Sequence, residues 1–359
     1  MNFSGSYRSG DVSFLLKPLD LANFVDVAHK EMLIQSGQRH YSEMLSPESL
    51  PSERYLQLFR QACDANLERM ARDCLTLAAL IAQRRDGPVT LVSLARAGTP
   101  VGVVLKHLLT NVMGREAAHY SVSIIRDRGI DQVALDHILT AGHAAESIVF
   151  VDGWTGKGVI SRELTSAVDA FNAHRGTRID GGLYVLSDLA GTAACAASCD
   201  DYLIPSSILN ATVSGLVSRS ILNEQIGPGD FHGCVYYRQF EAHDQSQHFA
   251  DDLVARALGM APQAAAPMDR GQAAAVSQAY MRSALARHGI ADANLVKPGI
   301  GEATRVLLRR SPRLLILRDA AAPDVAHLVL LAQEKNIPVT VDPDLPDHAV
   351  SLIRSALDG

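Results

Sequence analysis

The sequence predicts a doubly wound parallel α/β sheet followed by a second, smaller α/β domain, and three observations carry that expectation. Strand-length runs recur near residues 89–94, 120–125, 147–152, 182–187 and 201–204 with helical segments between them, the alternation that a parallel sheet with crossover helices requires. The run Ile148-Val149-Phe150-Val151 is apolar at every position, which suits a strand covered on both faces. From Gly259 to Ala275 the chain offers little to build a core with, so residues 1–258 and 276–359 read as two domains joined by a linker over 259–275.

Taken in order, residues 20–85 read as mainly helical, because Leu67, Met70, Ala71, Cys74, Leu75, Ala78 and Ile81 recur at the spacing of one helix face. The first strand run ends in a small-residue turn with Arg96 at its tip, flanked by Ser93, Ala97 and Gly98. An arginine there can hold a diphosphate through two parallel charge-assisted hydrogen bonds, or it can be a solvated loop residue. The second run leads into Arg126-Asp127-Arg128-Gly129, which reads either as a solvated charge run or as a lid whose arginines close over an anion and exclude water.

The third run breaks at Asp152 into Gly153-Trp154-Thr155-Gly156-Lys157-Gly158 and a helix start. Glycines that tolerate positive φ let successive N–H groups point at one anion beside a helix N-terminus, so the turn reads as a phosphate cradle. Asp152 stands at the strand's carboxyl end, where open α/β sheets keep their ligands. A Walker A loop does not fit, since Val151 stands where its first glycine belongs and Gly158 follows Lys157 in place of Ser or Thr. The dinucleotide fingerprint fails as well, and a tight turn without a ligand stays open.

The order of these three segments resembles the pyrophosphate loop, lid and ribose-phosphate loop of type I phosphoribosyltransferases. More narrowly, Gly5-Ser6-Tyr7, Arg39-His40-Tyr41-Ser42-Glu43-Met44, the Asp152 turn, Ser187-Asp188-Leu189-Ala190-Gly191 and the Ser/Thr/Asn-rich segment Pro205 to Leu216 resemble the StiP-type family of tellurium-resistance and stress gene clusters. That resemblance implies a type I phosphoribosyltransferase-like sheet and a magnesium-dependent transferase, acting on phosphoribosyl pyrophosphate and a base-like acceptor. In that reading Asp152 binds the ribose hydroxyls and helps to orient magnesium. Thr155, Gly156, Lys157 and Gly158 hold the 5′-phosphate, Ser93, Arg96, Ala97 and Gly98 the pyrophosphate, and Arg126 and Arg128 close over it. The family's usual second acid is replaced by Gly153. Asp188 is a candidate for the acceptor or a magnesium-bound water, with a helix N-cap as its plain alternative. Ser206, Asn210 and Ser214 are candidates for hydrogen bonds to a polar acceptor, or form a capped turn. His40, Tyr41, Glu43 and His232 have acid–base chemistry without a placement.

Beyond the linker, Gly299-Ile300-Gly301-Glu302-Ala303-Thr304-Arg305 opens a helix, followed by a strand at 313–317, a helix at 325–335 and a strand at 337–341. This resembles the Pelota and kink-turn-binding fold, whose recognition turn reads Gly-x-Asn-Glu-x-Thr-Lys; Gly301 replaces the asparagine and Arg305 the lysine. The resemblance implies structured RNA as a partner, with Gly299, Glu302, Thr304, Arg305, Arg309 and Arg310 as candidate contacts in a basic run that includes Lys297 and Arg313. Homodimerisation, or a lid inside the molecule, are the alternatives for this domain.

The 359 residues suffice for two cores, and a net charge of −6 leaves any nucleic-acid contact to a local patch. No apolar stretch reaches membrane-spanning length and the first residues lack a signal-peptide core, so a cytoplasmic protein without a membrane partner is expected. Cys63, Cys74, Cys195, Cys199 and Cys234 are odd in number and scattered, which speaks against a disulfide framework. Cys195, Cys199, His232 and Cys234 match a zinc site only loosely. The Ala-rich setting of Cys195 and Cys199 reads as a packed helix with inert thiols. Two rivals to the transferase remain: a nucleotide- and RNA-binding regulator without turnover, and a cysteine protease, the label some family members carry, which needs a thiolate beside a histidine.

Overall fold

A computed structural model describes residues 3–20, 33, 38–46, 48–261, 270–290, 292–310 and 312–354, apart from the side chain of Arg309. The strands are β1 (Ser13–Leu15), β2 (Lys17–Pro18), β3 (Val89–Ala95), β4 (Ala117–Ile125), β5 (Gly129–Ile130), β6 (Ile148–Thr155), β7 (Leu183–Asp188), β8 (Cys195–Ser198), β9 (Gly233–Cys234), β10 (Val296–Pro298), β11 (Pro312–Leu317), β12 (Val339–Val341) and β13 (Ala349–Ile353). The α-helices are α1 (Glu53–Arg84), α2 (Thr99–Asn111), α3 (Gln132–Thr140), α4 (Val159–Arg175), α5 (Ser246–Leu258), α6 (Arg270–His288), α7 (Ile300–Arg309) and α8 (Ala326–Glu334).

The large sheet runs β1-β4-β3-β6-β7-β8, with every neighbouring pair parallel and β5 added antiparallel to β4. Chain order reverses between β3 and β6, so their carboxyl ends flank the crevice in which open α/β sheets bind ligands. Both faces are covered, as the apolar strands require. On one face Leu77 and Ile81 of α1, Leu105 of α2 and Leu253 of α5 share a buried cluster with Leu91 and Val149. On the other, Leu135 and Ile138 of α3 and Leu164, Val168 and Phe171 of α4 pack on Val92, Phe150 and Val185. At the crevice the backbones nearly touch: a Cβ on Gly98 would lie 2.6 Å from the carbonyl oxygen of Val151.

Four of the expected strands form, but residues 201–204 do not, and Cys195–Ser198 takes that edge instead. The expected helix around Cys195 and Cys199 is therefore a strand and its exit. The reason lies in Asp188, whose carboxylate accepts from the amides of Ala190 and Ala193 at 3.1 and 2.7 Å and turns the chain back along β7 without a crossover helix. Of the expected helical region, α1 forms, while residues 21–32 and 34–37 lie outside the described residues.

The C-terminal domain is a four-stranded sheet, β10-β13-β11-β12, with β11 and β12 parallel and the other pairs antiparallel. Residues 262–269 of the expected linker lie outside the described residues, and α6 starts at Arg270, inside that stretch. Alanine and glutamine there are good helix formers, which outweighs the lack of core-forming side chains. The two domains share one continuous apolar cluster, in which Ile300, Ala303, Leu307 and Leu308 of α7 join Leu58 and Phe59 of α1. The Tyr55 hydroxyl donates to the carbonyl of Leu308 at 2.9 Å, and Arg54 pairs with Glu334 at 2.9 Å. No described helix is long and apolar enough to cross a membrane.

Asp201 and Asp347 are buried together at this junction, and burial lifts both carboxyls, Asp347 to about 7 with a further push from Asp201. A folded-state value above the unfolded one means the native state holds the proton more tightly, so stability falls as pH rises from about 4 to about 7. Asp347→Asn should flatten that slope and raise the melting temperature at pH 7.5 while changing little at pH 4.5. Thermal unfolding across pH checks it; equal shifts at both pH values would reject it.

Candidate functional site

The best-formed site lies at the carboxyl ends of β3 and β6. β6 delivers Asp152 and Thr155, and the chain then turns through Gly156-Lys157-Gly158 into α4. Thr155 Oγ1 accepts from the amide of Gly158 at 3.0 Å, which closes the turn. Gly158 holds φ of +68°, a conformation that side chains disfavour, and it gives α4 no side-chain cap. The first N–H groups of the helix are therefore left without a side-chain cap at the turn.

A cavity of about 260 Å³ opens beside the turn, lined by Arg126, Asp152, Thr155, Lys157, Lys297, Glu302 and Arg305 among others. Its far wall is the C-terminal domain. A Cβ on Gly156 would lie 3.4 Å from the carbonyl of Pro298, and the Arg305 guanidinium sits over the Trp154 ring at 5.7 Å. Lys157 Nζ donates to the carbonyls of Ala293 and Val296 at 2.8 and 3.0 Å. Burial lifts the Asp152 carboxyl to about 7 against the hydrogen bond it accepts from the Gly153 amide, and burial with Lys297 nearby lowers the Lys157 ammonium to about 8. Glu302 is held below the usual carboxylate range despite its burial, by Arg305 at 3.0 Å and by Lys297.

Other expected site residues are engaged elsewhere. Arg96 pairs with Glu48 at 2.6 Å and donates to the carbonyl of Val217 at 2.7 Å and to Asn210 Oδ1 at 3.3 Å, so its guanidinium ties β3 to the 210–217 segment. Ser93 is fully buried against His119, 2.8 Å from Oγ to Nε2. Ala97 lines the cavity, whereas Gly98 serves the close backbone approach described above. Arg126 to Arg128 form a tight turn between β4 and β5 rather than a long lid: the Arg126 amide donates to Tyr41 Oη at 2.8 Å, and Arg128 pairs with Glu43 at 3.1 Å. Asp188 is fully buried in its own turn, where both carboxylate oxygens accept from backbone amides, and it does not line the cavity. Asn210 lines a separate cavity with Glu48, Tyr55, Thr212 and Phe240, Ser214 Oγ donates back to the carbonyl of Asn210 at 2.8 Å, and Ser206 lines neither cavity.

The RNA-recognition turn is the largest departure. Gly299 to Arg305 faces the N-terminal domain: the Ile300 amide donates to Asp201 Oδ1 at 2.7 Å, a Cβ on Gly301 would lie 3.5 Å from Trp154, and Thr304 is fully buried with its hydroxyl on Ile300 O and His327 Nε2. Arg310 and Arg313 are exposed, and the Arg309 side chain lies outside the described residues. The turn thus packs against the N-terminal part instead of lying open at the surface.

The thiols differ from the expected inert set. Cys74, Cys195 and Cys234 are buried and Cys63 is half-buried, whereas Cys199, directly after β8, is exposed. Burial pushes the Cys63 and Cys234 thiols up to about 12 and raises Cys74 and Cys195 as well. Among the described residues no imidazole is hydrogen-bonded to a thiol; His40, His143 and His232 meet hydroxyls instead. Also among them, no three His, Cys, Asp or Glu side chains are grouped to hold a metal ion.

The described residues thus form a large parallel α/β sheet whose carboxyl edge is covered by a small C-terminal α/β unit. Residues 5–254 match the family described as tellurite-like stress resistance cysteine protease StiP, and residues 275–355 match the PELOTA RNA binding domain. The chain is also 43% identical over 366 residues to the cysteine protease StiP of Acinetobacter baylyi, an alignment covering 98% of this chain and 94% of that protein. It belongs to the StiP family. Solved structures add no argument: the hypoxanthine phosphoribosyltransferase of Trypanosoma cruzi shares 12% identity at a TM-score of 0.28 over 38% of this chain and 82% of that one. An N-succinyldiaminopimelate aminotransferase from Mycobacterium tuberculosis covers 91% of both chains at a TM-score of 0.23 and 10% identity. The family match and the full-length relative overturn the phosphoribosyltransferase reading, because both carry the name of a cysteine protease.

Proposed function

We propose that the protein is a thiol-dependent hydrolase that cleaves peptide-type bonds, with Cys199 as nucleophile. The observation that carries the reading is the end-to-end similarity to a relative named as a cysteine protease. The thiols support the choice of residue. Four are buried or half-buried with their thiolates disfavoured, and Cys199 is the exposed one, at the carboxyl edge of the sheet. The chemistry requires the Sγ thiolate to attack a carbonyl carbon, the C–N bond to break as the amine takes up a proton, and water to cleave the thioester and return the thiol. Among the described residues no imidazole is hydrogen-bonded to a thiol, so the proposal requires a base that aligns with Cys199 in the substrate complex, as hydrogen bonds of such sites often do. The test is a time course of iodoacetamide labelling mapped by mass spectrometry. Cys199 should react at least about tenfold faster than the other four thiols, with peptide hydrolysis lost in step. Preferential labelling of Cys63, or hydrolysis that survives labelling, would reject the assignment.

A second reading, RNA binding by the C-terminal domain, is favoured by the match over residues 275–355. With the turn at Gly299 to Arg305 covered, Arg310 and Arg313 remain exposed basic side chains that a phosphate backbone can meet. Arg310→Ala and Arg313→Ala should each weaken binding similarly for different RNA sequences and flatten the salt dependence by about one unit of slope per lost contact. Filter binding over a salt series reads it, and an unchanged slope would count against this surface.

A further inference from the structure

The residues on both sides of Cys199 are held by side chains of other elements. On α1, Arg69 and Asp73 stand one turn apart and meet the chain where it leaves β8. The Asp73 carboxylate accepts through one oxygen from the Tyr202 hydroxyl at 2.9 Å and from the Ser198 hydroxyl at 3.2 Å. The Ser198 proton is shared with the carbonyl of Leu186 at 3.3 Å, so the Tyr202 bond is the firmer tether. Arg69 pairs with Asp200 at 2.7 Å and lies over the Tyr202 ring at 4.7 Å, while the Ser187 hydroxyl donates to the carbonyl of Asp200 at 2.7 Å. Asp201 in turn accepts from the amides of Ile300 and His348. Four of the five residues from 198 to 202 are thus fixed, and the fifth is the exposed thiol. Burial lifts the Asp73 carboxyl to about 6 against its hydrogen bonds, with Asp200 adding to the rise and Arg69 opposing it. An apolar residue would pack α1 on this edge without the cost of a buried charge.

We propose that Asp73 is a positioning residue for Cys199: by holding Ser198 and Tyr202 it fixes the segment that carries the thiol, and with it the direction from which Sγ meets a carbonyl carbon. The inference rests on Cys199 as the nucleophile. The contacts alternate along the segment, since Ser198, Asp200 and Tyr202 reach α1 whereas Asp201 reaches the C-terminal domain. Cys199 shares the side of Asp201 in that alternation, so Asp73 acts on it through the chain and not by taking its proton. A displacement of about 1 Å at a reacting atom can cost about 100-fold in rate. Binding of the rest of the substrate is left as it was, so the effect belongs in kcat rather than in KM.

The full-length protein and its variants are assayed on a fluorogenic peptide library, with kcat and KM taken on the peptide that the parent cleaves best. Asp73→Ala should lower kcat at least about tenfold with KM within about twofold, and Tyr202→Phe, which removes one hydroxyl and keeps the ring, should lower kcat about threefold or more. Asp73→Asn keeps an acceptor oxygen without the charge, so its kcat should lie between those of the parent and Asp73→Ala. Arg72→Ala, whose pair with Glu68 is exposed on the same helix, should match the parent. Iodoacetamide mapping accompanies each assay: Cys74 is buried and directly follows Asp73, so its labelling reports loosening of α1. A lower kcat with Cys74 still protected is expected. The proposal is overturned if Asp73→Ala and Tyr202→Phe turn over at the parent's rate while Cys199→Ser is inactive, an outcome that leaves the nucleophile reading standing. It is equally overturned if kcat falls only in variants whose Cys74 becomes labelled, which makes Asp73 a packing residue. If the parent cleaves no peptide, or Cys199→Ser cleaves as well as the parent, the nucleophile reading itself fails and this inference with it.

Discussion

Replacing Cys199 by serine is expected to lower thiol-dependent hydrolysis by about a thousandfold or more, because the step lost is the nucleophilic attack itself. Stability should hardly change, within about 0.5 kcal/mol, since the side chain is exposed and supports no packed neighbour. That combination separates a chemical role from a structural one. Cys234→Ser makes the opposite control: it places a hydroxyl in a fully buried site and should cost stability while leaving the reaction of the surviving folded protein intact. Kinetics with a fluorogenic peptide library, paired with thermal unfolding, decide between the two. If Cys199→Ser keeps full activity, another group cleaves the substrate and the thiol assignment fails. Cys63 is then no ready substitute. Burial, helped by Asp64 and Asp252 beside it, pushes its thiol up to about 12, and the carboxylate of Asp252 stands 3.4 Å from His248.

Much of the fold was legible because it rests on local signals. The run Ile148 to Val151 and the glycines after it predict a buried strand and a turn into a helix, and β6 and α4 are found there. The helix expected around Cys195 and Cys199 is a strand because alanine and cysteine suit both, and the Asp188 turn that decides between them is made by amides up to five residues away. The site was legible only on one side. Asp152, Thr155 and Lys157 do line a cavity, but the partners of Arg96 and the roof over Trp154 come from Glu48, Asn210 and Arg305, and no periodicity or spacing reveals contacts at such separations. Family membership was visible in whole segments such as Pro205 to Leu216. The exposure of one thiol among five was not, since it is a tertiary property.

Asp201→Ala is expected to release the C-terminal domain from the sheet. The Asp201 carboxylate is buried and accepts from the amide of Ile300 at 2.7 Å through one oxygen and from that of His348 at 2.8 Å through the other, so one side chain pins both the start of α7 and the approach to β13. Hydrogen bonds to a charged acceptor contribute about 1.5–3 kcal/mol each, and the variant strands two amides in the interface, so a cost of about 3 kcal/mol is expected. Asp201→Asn should lose a large part of it too, because its amide group offers a donor where one backbone N–H already points. The neighbouring Asp200 supplies the control. Its pair with Arg69 at 2.7 Å is solvent-exposed, so Asp200→Ala should cost well under 1 kcal/mol. Limited proteolysis and Trp154 emission measure the outcome: faster cleavage between 259 and 299 and a red-shifted spectrum for Asp201→Ala, neither for Asp200→Ala. If the C-terminal domain stays docked without Asp201, the shared apolar cluster of Ile300, Leu307 and Leu308 holds the interface by itself. If it does undock, Gly299 to Arg305 becomes accessible, and RNA binding should then strengthen, because the turn no longer has to be pulled from Asp201 and Trp154 before it can meet a phosphate backbone.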